Sequence, residues 1–368
     1  MSQITSAEEL RYWIAFNLVL GDRLQAAKIL ADFSPSPRSL FRKSAALPPG
    51  LDATVARELR QPELMDRASA ELERAEREGY TILTRQDPRY PGLLRETFDP
   101  PYVLYCAGDP DVLNTPSVSI VGSRKPTPYG RNVAEKLSRD IAGCGITIVS
   151  GMARGIDSMA HIGALKEGRT IAVLGSGLEN IYPRENRPLA DKIRQNGAVL
   201  SEFPLDSKPL GFHFPIRNRV ISGLSRALIV IEAAPKSGSL ISAKLALEQN
   251  REVLAVPGNI TSDKSRGTNW LIQSGAKLVM SVQDVLEELP PEVLEDIPAS
   301  KMSPKTPVKL SADEKEVYNL LPEDKASHIE DIVSASGRSV SEVLTLLLGL
   351  ELNDLVRQLP GKYFQRKL

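Results

Sequence analysis

The chain holds little of what thiol or metal chemistry needs. Two cysteines, Cys106 and Cys144, and three histidines, His161, His213 and His328, are scattered over 368 residues. No C-x-x-C spacing joins them, so neither a disulfide framework nor a metal site is expected. Long apolar runs of the length a membrane span needs are missing, and "MSQITSAEELRYWIAF" lacks the basic segment and apolar stretch of an export signal. A soluble, cytoplasmic protein with no membrane contact is expected. No Ser-His-Asp set and no paired carboxylates within one motif occur, which argues against a catalytic centre of either kind.

Net charge is also missing: 46 basic residues balance 46 acidic ones. A nucleic-acid binder usually shows a basic surplus. The balance is not uniform, however. There are 14 basic and 17 acidic residues in 1–115, 22 and 14 in 116–285, and 10 and 15 in 286–368, giving nets of −3, +8 and −5. A basic middle flanked by acidic ends is the pattern of a chain whose centre alone meets a polyanion.

The periodicity divides the chain in the same way. Residues 1–82 read as a small helical unit of helix-hairpin-helix or sterile-alpha-motif type: "EELRYWIAFNLVL" and "LQAAKILADF" carry apolar residues at helical spacing, and "ELMDRASAELERAEREG" is a charged helix closed by Gly79. A connecting segment covers 83–115. From Ser117, short apolar runs such as "VSIVG", "ITIVSG", "TIAVLGSG", "AVLSEF", "ALIVIEA" and "EVLAVPG" alternate with helical segments over 116–285. That alternation predicts an α/β domain with a doubly wound, Rossmann-like parallel sheet. A Pro- and Lys-containing linker is expected over 286–310. Residues 311–368 show three helices and a hairpin turning at Pro360-Gly361, the order of a winged helix. That unit has 7 basic and 10 acidic residues, and its third helix, "SVSEVLTLLLGLELN", has no lysine or arginine. A groove-reading helix normally carries such side chains, so this one is better suited to apolar packing or a protein partner.

Ligands of doubly wound folds sit at the carboxyl ends of the strands. There the chain places "GSRKPTPYG", "SGMARGIDSMAH", "GSGLENIYPREN", "FHFPIRNRVISGLS" and "EAAPKSGSL". The first matches neither G-x-x-x-x-G-K-[ST] nor G-x-G-x-x-G, and its Arg124-Lys125 pair points to a polymer backbone more than to a nucleotide. Arg154 follows Gly151 in the second, where Asp157 can serve as a helix cap. "KSGSL" puts Lys236 beside the N–H groups and hydroxyls of a helix start, a second phosphate seat. Phe212 and Phe214 stand next to Arg217, Asn218 and Arg219, a mixture suited to stacked bases and phosphates or, alternatively, to a core with salt bridges.

Taken together with "VPGNITSDKSRGTNWLIQSGAKLV", these motifs closely resemble the DNA-processing protein A family, also called DprA or Smf, over about 115–281, and "DPRYPGLL" and "PPYVLYCAGD" extend the likeness upstream. The resemblance implies an extended Rossmann fold that binds single-stranded DNA without strong sequence preference, protects it, and helps load the RecA recombinase in natural transformation. It further implies a homodimer, no cofactor, a sterile-alpha-motif-like N-terminal domain and, in many members, a C-terminal winged helix. Carried over by position, the implied DNA pocket is Gly122, Ser123, Arg124, Arg184, Phe214, Arg217, Asn218, Arg219, Lys236, Ser237, Gly238 and Ser239, to which the reading of the strand ends adds Arg154. Gly211 departs from relatives that carry a lysine there, and Lys208 is the nearest substitute. The alternative is a nucleotide-processing Rossmann enzyme, for which Glu232 is the nearest carboxylate. A weaker one is a sequence-specific regulator acting through the winged helix.

Overall fold

The computed structural model describes residues 6–34, 36–41, 47–295, 310–322, 325–353 and 355–366. Five helices come first: α1 (Ala7–Leu20), α2 (Leu24–Phe33), α3 (Pro37–Leu40), α4 (Ala53–Leu59) and α5 (Leu64–Arg77). Ser6 starts α1 by accepting the Glu9 N–H. Leu64, Ala68, Leu72 and Ala75 line the buried face of α5 at spacings of four, four and three. The helical unit is tied to the rest of the chain. Trp13 stacks on Tyr102 at 6.2 Å, Asn17 Nδ2 donates to the Glu202 carbonyl at 3.0 Å, and Glu71 accepts the Leu205 N–H at 2.7 Å. One apolar core runs across the junction.

The centre is a nine-stranded sheet. Its strands are β1 (Thr81–Thr84), β2 (Val103–Gly108), β3 (Ser117–Val121), β4 (Thr147–Ser150), β5 (Thr170–Val173), β6 (Gly197–Ser201), β7 (Ala227–Val230), β8 (Glu252–Ala255) and β9 (Lys277–Leu278), in the order β1-β2-β6-β5-β4-β3-β7-β8-β9. From β3 onward all pairs are parallel, while β2 is antiparallel to both β6 and β1. The helices α6 (Gly92–Arg95), α7 (Pro128–Gly143), α8 (Ile156–Ala164), α9 (Arg187–Gln195), α10 (His213–Gly223), α11 (Gly238–Glu248), α12 (Arg266–Gln273), α13 (Val282–Leu286) and α14 (Pro291–Glu295) accompany it. Two apolar clusters, one on each face, bury the sheet. The expected doubly wound α/β centre is therefore present. It is wider than the periodicity suggests, because β2 arises from the segment read as a connection, β1 straddles the boundary at 82 between that segment and the unit read as helical, and the two-residue β9 was not read as a strand.

The chain lays β4, β5 and β6 down on one side of β3, then returns to put β7 on the other. The crevice where β3 and β7 send their chains to opposite faces is the topological switch point, the place where open α/β sheets hold ligands. Past the sheet, α13 and α14 pack Val285, Leu286 and Val293 into the core. The span read as a linker thus begins with packed helix, and residues 296–309 lie outside the described ones. The C-terminal unit comes next as α15 (Ala312–Leu320), β10 (Ser327–His328), α16 (Ile329–Ser336), α17 (Val340–Leu352), β11 (Val356–Leu359) and β12 (Tyr363–Arg366), with a three-stranded sheet ordered β10-β12-β11. This is a winged helix with its own core around Val317, Ile332, Leu347 and Phe364. It touches the centre at Asn132 of α7, which donates to the Arg366 carbonyl at 3.1 Å and accepts from Arg357 at 3.3 Å. No helix among the described residues is long and apolar enough to cross a membrane.

Candidate nucleic-acid interface

A groove of about 720 Å³ opens at the switch point. Its walls are the loop after β3, the loop after β7 with the start of α11, and the first turns of α10. Gly122, Ser123, Arg124, Phe214, Arg217, Asn218, Lys236, Ser237, Gly238 and Ser239 all line it. So do Lys125 and Lys264, giving five cations against the single carboxylate of Asp157. A concave site with that charge ratio focuses a positive potential onto whatever enters.

Each wall has a local cause. Ser123 is buried and turns the loop, its Oγ accepting the Lys125 N–H at 3.2 Å and its carbonyl the Ile156 N–H at 3.1 Å, which leaves Arg124 and Lys125 exposed. Thr127 caps α7 by accepting the Gly130 N–H at 3.1 Å. The Thr127 N–H in turn donates to Glu232 at 2.9 Å, and the Thr127 hydroxyl donates to the same carboxylate. Glu232 is 3% exposed. The carboxylate kept in view for a nucleotide-processing enzyme is thus engaged in holding the loop. On the opposite wall Ser237 caps α11, accepting the Ser239 N–H at 3.4 Å, with Lys236 and Gly238 exposed beside it.

Phe214 and Arg217 form the floor, one turn apart on α10. The ring is half-buried, and its closeness to Gly175 explains the glycine there: a Cβ at that position would come within 2.8 Å of the ring. Arg124 and Arg217 place guanidinium carbons 5.4 and 5.9 Å from the ring centroid. Arg217 is almost wholly buried and donates to the carbonyls of Gly151 and Val173 and to Asn218 Oδ1. Burial lowers its pKa to about 10, which keeps it cationic at neutral pH. Asp157 faces it; burial pushes that carboxyl up to about 6, against the pull of Arg217. Asp157 accepts the Ala153 N–H at 3.3 Å, so it braces the loop ahead of α8 and Gly155 occupies the cap.

Three of the expected residues stand outside the groove. Arg219 lies on the other side of α10, buried against Glu202 and 3.4 Å from Asp99. It faces a separate cavity of about 330 Å³ at the junction with the helical unit. Of the two alternatives its motif allowed, Arg219 takes the salt bridge. Arg154 is exposed and ion-paired with Glu185. Arg184 is exposed beside Tyr182, whose ring centroid is 5.7 Å from that of Phe214. Lys125 adjoins Arg124 and was within reach of sequence reasoning. Lys264 was not, because it arrives from the loop before α12.

Comparison with known proteins decides the family. The family model described as DNA recombination-mediator protein A matches residues 81–290, and the DprA winged helix domain model matches 301–362. The chain belongs to the DNA recombination-mediator protein A family. DNA processing protein DprA of Bacillus subtilis is 46% identical over 215 residues, covering 58% of this chain and 72% of that protein. Protein Smf of Escherichia coli is 40% identical over 298 residues, or 78% of each chain. The X-ray structure of DprA from Streptococcus pneumoniae superposes with a TM-score of 0.62 at 37% identity, covering 76% of this chain and 98% of that one. A Helicobacter pylori DNA processing protein A structure, described for its single-stranded DNA binding mode, superposes with a TM-score of 0.53 at 36% identity, covering 60% and 97%.

Proposed function

We propose that this protein binds single-stranded DNA in the switch-point groove, without strong preference for sequence, using Gly122, Ser123, Arg124, Phe214, Arg217, Asn218 and Lys236 to Ser239. The observation that carries the reading is Phe214, a half-buried ring with two guanidinium groups within 6 Å of its centroid, in a groove of five cations and one carboxylate. An aromatic face accepts any unstacked base, while the cations track phosphates; a duplex keeps its bases stacked and can use only the second half of that arrangement. The Helicobacter pylori relative, described for single-stranded DNA binding, supports the same reading. Arg184 and, once released from Glu185, Arg154 are assigned to the strand where it leaves the groove. Arg219 is not assigned to DNA.

Membership of a recombination-mediator family supports the wider role: protecting the strand and helping to load RecA, in natural transformation and DNA processing, as a cytoplasmic, non-enzymatic homodimer with no cofactor. Leu247 and Trp270, exposed on α11 and α12, favour self-association. Gel shifts comparing single-stranded and duplex DNA over a range of salt test the core of the reading. Tighter, steeply salt-dependent binding of single strands is expected. Equal affinity for duplex would reject it.

A further inference from the structure

The N-terminus of α7 already holds an anion. Glu232 ends the β7 side of the crevice, and its carboxylate accepts both the backbone N–H and the hydroxyl of Thr127. It also occupies the space over the first turn. A Cβ built at Gly130 would lie 2.5 to 2.8 Å from the carboxyl carbon and both of its oxygens, so only glycine admits the carboxylate there. The group is 3% exposed and lies against a sixteen-residue helix whose dipole favours negative charge at this end.

In dinucleotide-binding folds the helix after the first parallel strand takes the pyrophosphate at its N-terminus. Here that strand is β3 and that helix is α7. We propose that Glu232 is a resident anion that fills the phosphate seat of α7. It shuts out the phosphates of free nucleotides and leaves the DNA backbone to Arg124, Lys125 and the start of α11. Both helices are capped by a neutral hydroxyl, Thr127 on α7 and Ser237 on α11, but the group beside the α11 cap is the cation Lys236 where α7 has the carboxylate of Glu232. Glu232 is on this account a specificity-determining residue that never touches DNA. The part concerning the DNA path rests on the single-strand reading above; the exclusion of nucleotides does not.

The test is an amide-resonance titration of the full-length protein with oligo-dT and, separately, with pyrophosphate. In the wild type, oligo-dT should move the amides of Ser237 to Ser239 and leave those of Thr127 and Gly130 in place. Pyrophosphate should likewise leave Thr127 and Gly130 unmoved. In Glu232→Ala, pyrophosphate should move Thr127 and Gly130 at a concentration at least tenfold below any that affects them in the wild type. Glu232→Ser, which likewise removes both the charge and the bulk over the first turn, provides the same arm should the alanine variant not fold. Wild-type Thr127 and Gly130 amides that respond to either ligand as readily as those of Ser237 to Ser239 would overturn the proposal. Should no amide respond to oligo-dT, the single-strand reading fails, and the pyrophosphate arm still decides the role of Glu232.

Discussion

Arg217 and Arg219, two residues apart on α10, serve opposite sides of the helix: Arg217 ties the groove floor to the Gly151 and Val173 carbonyls, and Arg219 pairs with Glu202 at the junction with the helical unit. Arg219→Ala should therefore leave single-strand affinity within about threefold. It should lower stability by about 3–5 kcal/mol, the usual loss when one partner of a buried pair is removed. Urea unfolding and fluorescence anisotropy on the same preparation measure both quantities.

Glu202 gives the junction a pH dependence. Burial raises its carboxyl from an ordinary 4.5 to about 7, despite Arg219. The folded state then holds the proton more tightly than the unfolded one, so the stability from this group is present at low pH and is lost as pH rises from about 4.5 to 7. The melting temperature of Glu202→Gln minus that of the wild type should increase from pH 5 to pH 7.5. A constant difference would mean that Glu202 does not titrate in that range.

Arg124→Glu and Lys236→Glu should each weaken single-strand binding at least tenfold, and by the same factor for oligo-dT, oligo-dC and mixed sequences. Loss of one phosphate contact should make the log–log salt slope shallower by roughly 0.7. Anisotropy titrations at four or five salt concentrations check both expectations.

Phe214→Leu keeps the apolar floor but removes the stacking face. A loss of about 1–3 kcal/mol, roughly five- to 150-fold in affinity, is expected with the salt slope unchanged. The unchanged slope separates a lost base contact from a lost charge.

A chain ending at Glu295 should keep single-strand affinity within about threefold of the full length. The end must lie beyond α14, because Val293 is part of the central core. The third helix of the winged unit, α17, carries no lysine or arginine, and only the wing is basic. A folded truncation weakened a hundredfold would assign the winged helix a direct share of the DNA contact.

Strands β3 to β8 were legible because they are short apolar runs between helical patterns, and the groove was legible because strand ends carry glycines beside charges. β1 was not, since four residues after a charged helix give no alternation to read. Arg219 was grouped with Arg217 by proximity in sequence, yet two residues on a helix lie about 200° apart. Only the phase of α10 against the sheet shows which one faces the groove. The Thr127–Glu232 contact spans 105 residues, and the Arg154–Glu185 pair 31. Nothing local to either motif announces such partners.

The antiparallel ribbon of β1 and β2 has a practical consequence for anyone dissecting the protein. β2 covers the edge of β6 along Ala198 to Ser201, a strand whose residues are all buried. A fragment begun at Ser117 would uncover that edge as a row of unpaired amides and carbonyls flanked by Val199 and Leu200, a ready template for strands of neighbouring molecules. Such a fragment should precipitate or pair edge to edge during expression, whereas one that keeps both β1 and β2 and the helical unit whose apolar core they share should remain dispersed. The smallest workable DNA-binding piece is therefore set by what covers β6 and the shared core and not by where the binding residues begin.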